Sequence, residues 1–449
     1  MSDAIALPLD QSELSRELAD GSLLRRTILP SGVRILTERV PGAASASIGW
    51  WVPVGSRDEA GHQYGSTHFL EHLLFKGTPR RSAYDIAIAF DRVGGEHNAA
   101  TAREHTVYHA KIRDVDLPMA IDVLADMIAA SVIDPDEFET ERGVILEELA
   151  MADDDPMDVL WERFYGHVFP GHVLGRPIGG TPDTIRAATR DDVWAHYRAH
   201  YRPEEIVIAV AGAVDHDDVV RRVEAALRAD GWDLDRPGAP VGRRATAPAA
   251  LEAPSALLEI DRPLEQVNLI LGGRGLTASD PDRHAHAVMH RILGGGMSSR
   301  LFQEVRERRG LAYSVYSFAG GYSDAGLVGL YAGCAPQKAA EVIRVCRDEV
   351  ARLLDEGVTE DELADAKGAA AGATALALED ADARMHRLGR SEIHQGEFLE
   401  LGAALARIEA VQRDDVLAVA RGVLGGAPLQ ATTIGRLPAD ARALLEAAP

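Results

Sequence analysis

Two stretches of this chain return in altered form in its second half, and that return constrains the fold more than any other feature. IDPDEFETERGVI, from Ile133, matches VTEDELADAKGAA, from Val358, at an offset of 225 residues. TRDDVWAHYRAHY, from Thr189, matches QRDDVLAVARGVL, from Gln412, at an offset of 223. Two matches at nearly one offset indicate two copies of one domain. Between the copies, GWDLDRPGAPVGRRATAPAALEAP (residues 231–254) carries Pro237, Pro240, Pro248 and Pro254 and little periodicity, as a linker does. The expected layout is a short flexible tail over 1–22, a first domain over 23–230, the linker, and a repeat domain over 255–449.

Each half mixes two periods. GVRILTERV, ASIGWWVPV, TVYHAKI and EIVIAVAG read as strands, whereas DLPMAIDVLADMIA, DVVRRVEAAL and KAAEVIRVCRDEVARLL carry helical spacing. Strands and helices interleave, which predicts an α+β chain of two homologous α/β sandwiches, each with helices on one face of a sheet.

The stretch GSTHFLEHLLFKGTP (residues 65–79) sets His68, Glu71 and His72 inside five positions. On a strand the two histidines would lie roughly 13 Å apart, with Glu71 on the opposite face. On a helix His68, Glu71, His72 and Phe75 share one face, and Phe69, Leu70, Leu73 and Leu74 share the other. That clean partition selects a helix, with Ser66 and Thr67 available to cap it and Gly77 to end it. Histidines at i and i+4 suit zinc. The histidine pair alone would also fit an ordinary amphipathic helix, but a carboxylate between them supplies the base that hydrolysis needs. A third ligand must come from elsewhere. DEFETERGVILEEL (residues 136–149) is a strong helix former apart from Gly143, and it places Glu141 and Glu148 on one face with Val144 and Ile145 between them. A carboxylate on an apolar stripe is costly unless it is paired or metal-bound. Glu147 points elsewhere.

THFLEHLLFKGT, followed 80 residues after His68 by Glu148 in ERGVILEE, resembles the pitrilysin/insulinase family of inverted (H-x-x-E-H) zinc metallopeptidases. Chain length and the two-copy plan resemble the mitochondrial processing peptidase β-subunit and its bacterial homologues, over about Thr27 to Leu424. The resemblance implies one Zn2+ per chain on His68, His72 and Glu148, Glu71 as general base, and Glu141 as a supporting glutamate of the catalytic site. It also implies that each chain forms half of a clamshell-like chamber. In RLFQEVRERRGLAYSVYS the family's Arg and Tyr, seven apart, fall on Arg306 and Tyr313, suited to gripping a substrate carbonyl and stabilising its oxyanion. GGEHNAATAREHTVYHAKI resembles the family's substrate-pairing edge strand, with Asn98 and Ala99 at the matching positions. His105 and His109, about 13 Å apart on a strand, are read as structural, as are His62 and His97.

At an offset of 225, His68, Glu71, His72 and Glu148 fall on Leu293, Gly296, Met297 and Ala373, so the second copy lacks every ligand. The expected activity is endopeptidase hydrolysis of extended peptides through a zinc-activated water. Glu71 takes the water's proton and returns it to the leaving amine, while Tyr313 and Arg306 assist at the carbonyl. A non-catalytic assembly subunit of the same fold is the rival, and such relatives lose part of the constellation. Because the chain holds both residue sets, a homodimer would be self-sufficient, and a heterodimer with an inactive relative would also complete the chamber.

Composition narrows the partners. A net charge of −23, from 47 basic and 70 acidic side chains, argues against nucleic acid and favours basic peptides. The run MADDDP just after Glu148 points the same way. Two cysteines are too few for a disulfide framework, no apolar run reaches membrane-spanning length, and the N-terminus lacks secretory or presequence character. The expectation is a cytoplasmic protein with no membrane partner.

Overall fold

A computed structural model describes residues 4–426 and 429–447. Positions 1–3 of the expected tail, and 427–428 and 448–449 of the second-half range, lie outside the described residues. The chain opens with β1 (Ile5–Ala6), β2 (Glu13–Glu17), β3 (Leu23–Ile28), β4 (Arg34–Arg39) and β5 (Ser45–Val52). Next come α1 (Ser66–Leu73), α2 (Ala83–Asp91), β6 (Glu96–Thr101), β7 (Thr106–Arg113), α3 (Leu117–Ala130), α4 (Pro135–Asp154) and α5 (Pro156–Val168). The half closes with α6 (Pro182–Ala187), α7 (Arg190–His200), β8 (Val207–Gly212) and α8 (His216–Ala229). Beyond the linker lie β9 (Leu257–Ile260), β10 (Val267–Arg274), α9 (Arg283–Gly294), β11 (Ala312–Gly321), β12 (Gly326–Cys334) and α10 (Ala339–Glu356). They are followed by α11 (Glu360–Ala377), α12 (Ala381–Arg390), β13 (Glu397–Phe398), α13 (Leu401–Ala410), α14 (Arg413–Leu424), β14 (Gln430–Ile434) and α15 (Ala439–Glu446).

The repeat is visible in the sheets. The first, ordered β2-β3-β4-β8-β5-β7-β6, contains the run β4-β8-β5-β7-β6; the second is ordered β9-β14-β10-β12-β11. Strand for strand the two runs correspond, including one parallel pair each, β4 with β8 and β9 with β14. The segments that matched in sequence begin α4 and α11, and α7 and α14.

Helices on one face only was the expectation, and the structure corrects it. β8 reads VIAVAG and is buried at every residue, as a strand covered on both faces must be. Trp50 of β5 enters the core beneath α1, α3 and α8, while its neighbour Trp51 turns to the other face and meets Met385 and Leu388 of α12. The second half thus supplies the cover for the first sheet's outer face. The exchange is reciprocal, because Phe164 of α5 packs with Ile270 of β10 and Ile434 of β14 in the second sheet. A Cβ on Gly49 of β5 would collide with Met385 Sδ, and one on Gly272 of β10 would lie 2.6 Å from Phe164 Cζ. These two glycines stand 223 residues apart, the offset of the repeat. Each lets the other half's helix approach its sheet.

The expected loose tail is also corrected. β2 pairs with β3, β1 pairs with β13 of the second half, and Leu7, Leu14 and Leu18 are buried, so apolar side chains tie this segment down. The linker forms no helix or strand yet is anchored: Arg243 donates to the carbonyls of Glu392 and Leu7, and Arg244 forms an ion pair with Asp58. Among the described residues, no helix is long and apolar enough to cross a membrane.

Candidate active site

Helix α1 forms where expected, and its apolar face, Phe69, Leu70 and Leu73, is buried in the first-half core. Its cap differs from the expectation. Gly65, at φ 94°, is the N-cap, and neither Ser66 nor Thr67 caps with its side chain. Instead the buried Glu59 accepts the N–H groups of Gly65 (2.9 Å) and Thr67 (2.8 Å), satisfying helix donors that would otherwise be orphaned. Burial pushes Glu59 up to about 7, against the pull of those two N–H bonds. A 3-10 turn follows the helix, and Gly77, at φ 130°, ends it.

Helix α4 starts on Asp134, whose carboxylate accepts from Asp136 and Glu137, with Pro135 in the first turn. Phe138 stacks on Phe69 with ring centroids 4.6 Å apart and planes 12° apart, laying α4 along α1. Ile145 is buried, but Val144 is 41% exposed, so the stripe between the two glutamates is Ile145 alone.

This packing brings three ligand atoms together. His68 Nε2 and His72 Nε2 are 3.3 Å apart, and Glu148 Oε2 lies 3.4 Å from His72 Nε2 and 3.7 Å from His68 Nε2. Zn–N bonds of about 2.0–2.1 Å in a tetrahedron would space ligand atoms about 3.3–3.4 Å apart. The donor set therefore fits zinc by size and by chemistry. His72 Nδ1 lies 2.9 Å from Glu141 Oε2 and donates to it, which leaves the Nε2 lone pair facing the cluster. Glu141 is buried, and its other oxygen lies 2.6 Å from Lys76 Nζ. Burial, reinforced by His72, pushes His68 down to about 4, so its ring is neutral at pH 7. Glu71 shares this face, and its charge contributes to raising the proton affinity of the buried Tyr108 and Tyr201, which burial dominates.

Known proteins give this arrangement a context. Residues 34–182 match the family model described as Insulinase (Peptidase family M16), and residues 187–369 match that of the Peptidase M16 inactive domain. An uncharacterized zinc protease of Streptomyces coelicolor is 49% identical over 95% of this chain and 93% of its own length. The chain belongs to the M16 insulinase family. Another uncharacterized zinc protease, from Mycobacterium tuberculosis, is 46% identical over 89% of the chain and 90% of its own length. YmxG of Bacillus subtilis, named in the same way, is 35% identical over 89% and 95%. Two solved structures share the fold: a protease from Helicobacter pylori (TM-score 0.81, 22% identity, 92% of this chain and 98% of that one) and a peptidase M16 inactive domain from Pseudomonas fluorescens (0.80, 20%, 96% and 99%).

Elsewhere in this M16 chain, Arg306 and Tyr313 do meet. Arg306 lies in a π-helical turn and Tyr313 on β11, with the guanidinium 4.4 Å from the ring centroid. Tyr313 is 79% exposed. Among the described residues, neither makes a hydrogen bond, ion pair or ring contact with His68, Glu71, His72 or Glu148. Asn98 and Ala99 lie on β6, which ends the first sheet with one side unpaired among the described residues. Asn98 pairs in register with His109 and Ala99 with Tyr108, so Ala99 faces the core beside α1 while Asn98 is exposed on the outer face. His97 stacks on Phe90 at 4.4 Å, and His62 is largely exposed. In MADDDP, Asp153 pairs with Arg262, and Asp155 caps α5.

Glu59 and Lys76 were missed in the sequence. Lys76 stands at i+4 from His72, a spacing that could have flagged it. Glu59 caps from outside the local pattern, and nothing in the sequence signals it.

Proposed function

We propose that this chain is a zinc-dependent endopeptidase acting on extended peptides, and one observation carries the reading. Three ligand atoms converge at 3.3–3.7 Å while His72 is oriented from behind by Glu141. Zinc held by His68, His72 and Glu148 would supply Lewis acidity toward a water and a peptide carbonyl. Glu71, on the same helix face, takes the proton of the attacking water and passes it to the leaving amine. The unpaired edge of β6 offers main-chain groups to a substrate strand, which suits peptides of varied sequence. The net charge of −23 supports cationic peptides among them. Arg306 and Tyr313 bind and polarise the substrate carbonyl in a second copy's chamber, a reading supported by the exposure of Tyr313 and by the pair's lack of contact with the cluster in their own chain, among the described residues. Two buried free thiols, Cys334 and Cys346, are in keeping with a reducing, cytoplasmic setting.

The experiment is peptide hydrolysis by the purified chain, with metal content measured on the same sample, before and after chelation and zinc return. Stoichiometric zinc with chelator-sensitive cleavage is the expected result. Absence of both would leave the non-catalytic assembly role in its place.

A further inference from the structure

His105 and His109 cannot share a metal with each other, but each meets a histidine of the second half. His105 Nδ1 lies 3.1 Å from His394 Nε2. His109, on β7, faces the N-terminal turn of α12, where Asp382 and His386 stand at i and i+4 and so share a helix face. His109 Nδ1 is 3.8 Å from Asp382 Oδ1, and His386 Nε2 is 3.5 Å from Asp382 Oδ2. One ligand atom from each of the three lies within 4.8 Å of the others.

We propose that His109, Asp382 and His386 bind a second divalent transition-metal ion, zinc in the first instance, which fastens α12 to the outer face of the first-half sheet. Two imidazoles and one carboxylate are a donor set that zinc accepts, with the fourth position left to water. The carboxylate is oriented as ligands usually are, because the buried Ser47 of β5 donates its hydroxyl to Asp382 Oδ1 at 3.1 Å. The neighbouring Asp380 is occupied by Lys111 Nζ at 2.9 Å, so the charge beside the site is already offset and Asp382 is the free donor. His386 is held in place by Trp51, edge to face at 5.3 Å, yet among the described residues its ring makes no hydrogen bond and its buried Nδ1 meets no partner. A cation would take the Nε2 lone pair that faces Asp382, leaving the proton on Nδ1. Each ligand is partly exposed, with side chains 23%, 31% and 26% accessible, so an ion has a way in. The ligands come from both halves, so the ion would act as a staple across the exchanged helix.

The test is equilibrium dialysis of the full, metal-stripped chain against buffered zinc, read as equivalents bound. Wild type is expected to bind two, His109→Asn and His386→Gln one each, and the His68→Ala/His72→Ala pair one. Ser47→Ala should weaken the second equivalent about 10–100-fold. Cobalt(II) in place of zinc should give visible absorption that the His68→Ala/His72→Ala pair retains and that His109→Asn then removes. Those conservative substitutions keep a polar group at the interface, and circular dichroism checks that they fold. Two equivalents in both His109→Asn and His386→Gln would overturn the proposal, as would a single wild-type equivalent abolished by the His68/His72 pair. If that pair changes nothing while His109→Asn removes an equivalent, the staple stands and the active-site reading falls.

Discussion

His72 turns its Nδ1 to the buried carboxylate of Glu141 at 2.9 Å, and Lys76 holds the other oxygen of that carboxylate at 2.6 Å. This chain of contacts fixes the tautomer that presents Nε2 to the ligand cluster. Glu141→Gln keeps the shape but can present its N–H2 group to the ring, freeing it to flip. Zinc affinity, measured by competition with a chelator of known strength, should fall about 10–100-fold. Unchanged affinity would reduce Glu141 to a packing residue.

Glu71 shares the helix face of the two histidines, and in the proposed reaction it serves as base and not as ligand. Glu71→Gln should therefore keep zinc at the wild-type stoichiometry while peptide cleavage falls by about 10²–10⁴-fold, the usual worth of a positioned base. Loss of zinc in this variant would make Glu71 a ligand instead, and retained cleavage would remove it from the mechanism.

A buried carboxylate of the second half meets three arginines from the first half and the linker. Glu392 is fully buried and faces Arg26 at 3.2 Å, Arg34 at 3.6 Å and Arg243 at 3.3 Å. Removing this carboxylate leaves the buried Arg26 guanidinium without its ion-pair partner. Glu392→Ala should cost about 3–5 kcal/mol in denaturant unfolding. A loss below about 1 kcal/mol would mean that water replaces the carboxylate at little cost.

What the sequence disclosed follows the range of the interactions involved. The i, i+4 histidines and the apolar face of α1 are local, and Phe69, Leu70 and Leu73 are buried as that pattern demands. The repeat was legible because α4 and α11, and α7 and α14, kept their opening residues. The exchange of α5 and α12 was not, since it depends on contacts between Trp51 and Met385, and between Phe164 and Ile270, far apart in the chain. Continuous runs such as VIAVAG hint at it, because a strand with a wet face would alternate. β2 reads as tail in the sequence because ELSRE is mostly polar, with only Leu14 buried, as befits an edge strand. The exposure of Val144 is hidden for a related reason: helical spacing gives the face of α4 but not how far its neighbour α1 covers it.

Acid should weaken the fold through its neutral histidines, and His216 shows why. Its ring lies between Thr27 Oγ1 and Thr37 Oγ1, each at 2.9 Å, and it occupies the first turn of α8, where a positive charge opposes the helix dipole. Burial, aided by Arg25, pushes it down to about 4, against an ordinary value of 6.5. Between those values the unfolded chain takes up a proton that the folded chain refuses, so stability is full above pH 6.5 and is lost as the pH falls toward 4. His394, held down to about 4 by burial, and His196, held to about 3, add to the same trend. The midpoint of thermal unfolding should decline across this window, and His216→Asn, which keeps a hydrogen-bonding group but cannot titrate, should decline less steeply. Parallel curves for the two proteins would show that His216 already carries its proton in the folded chain.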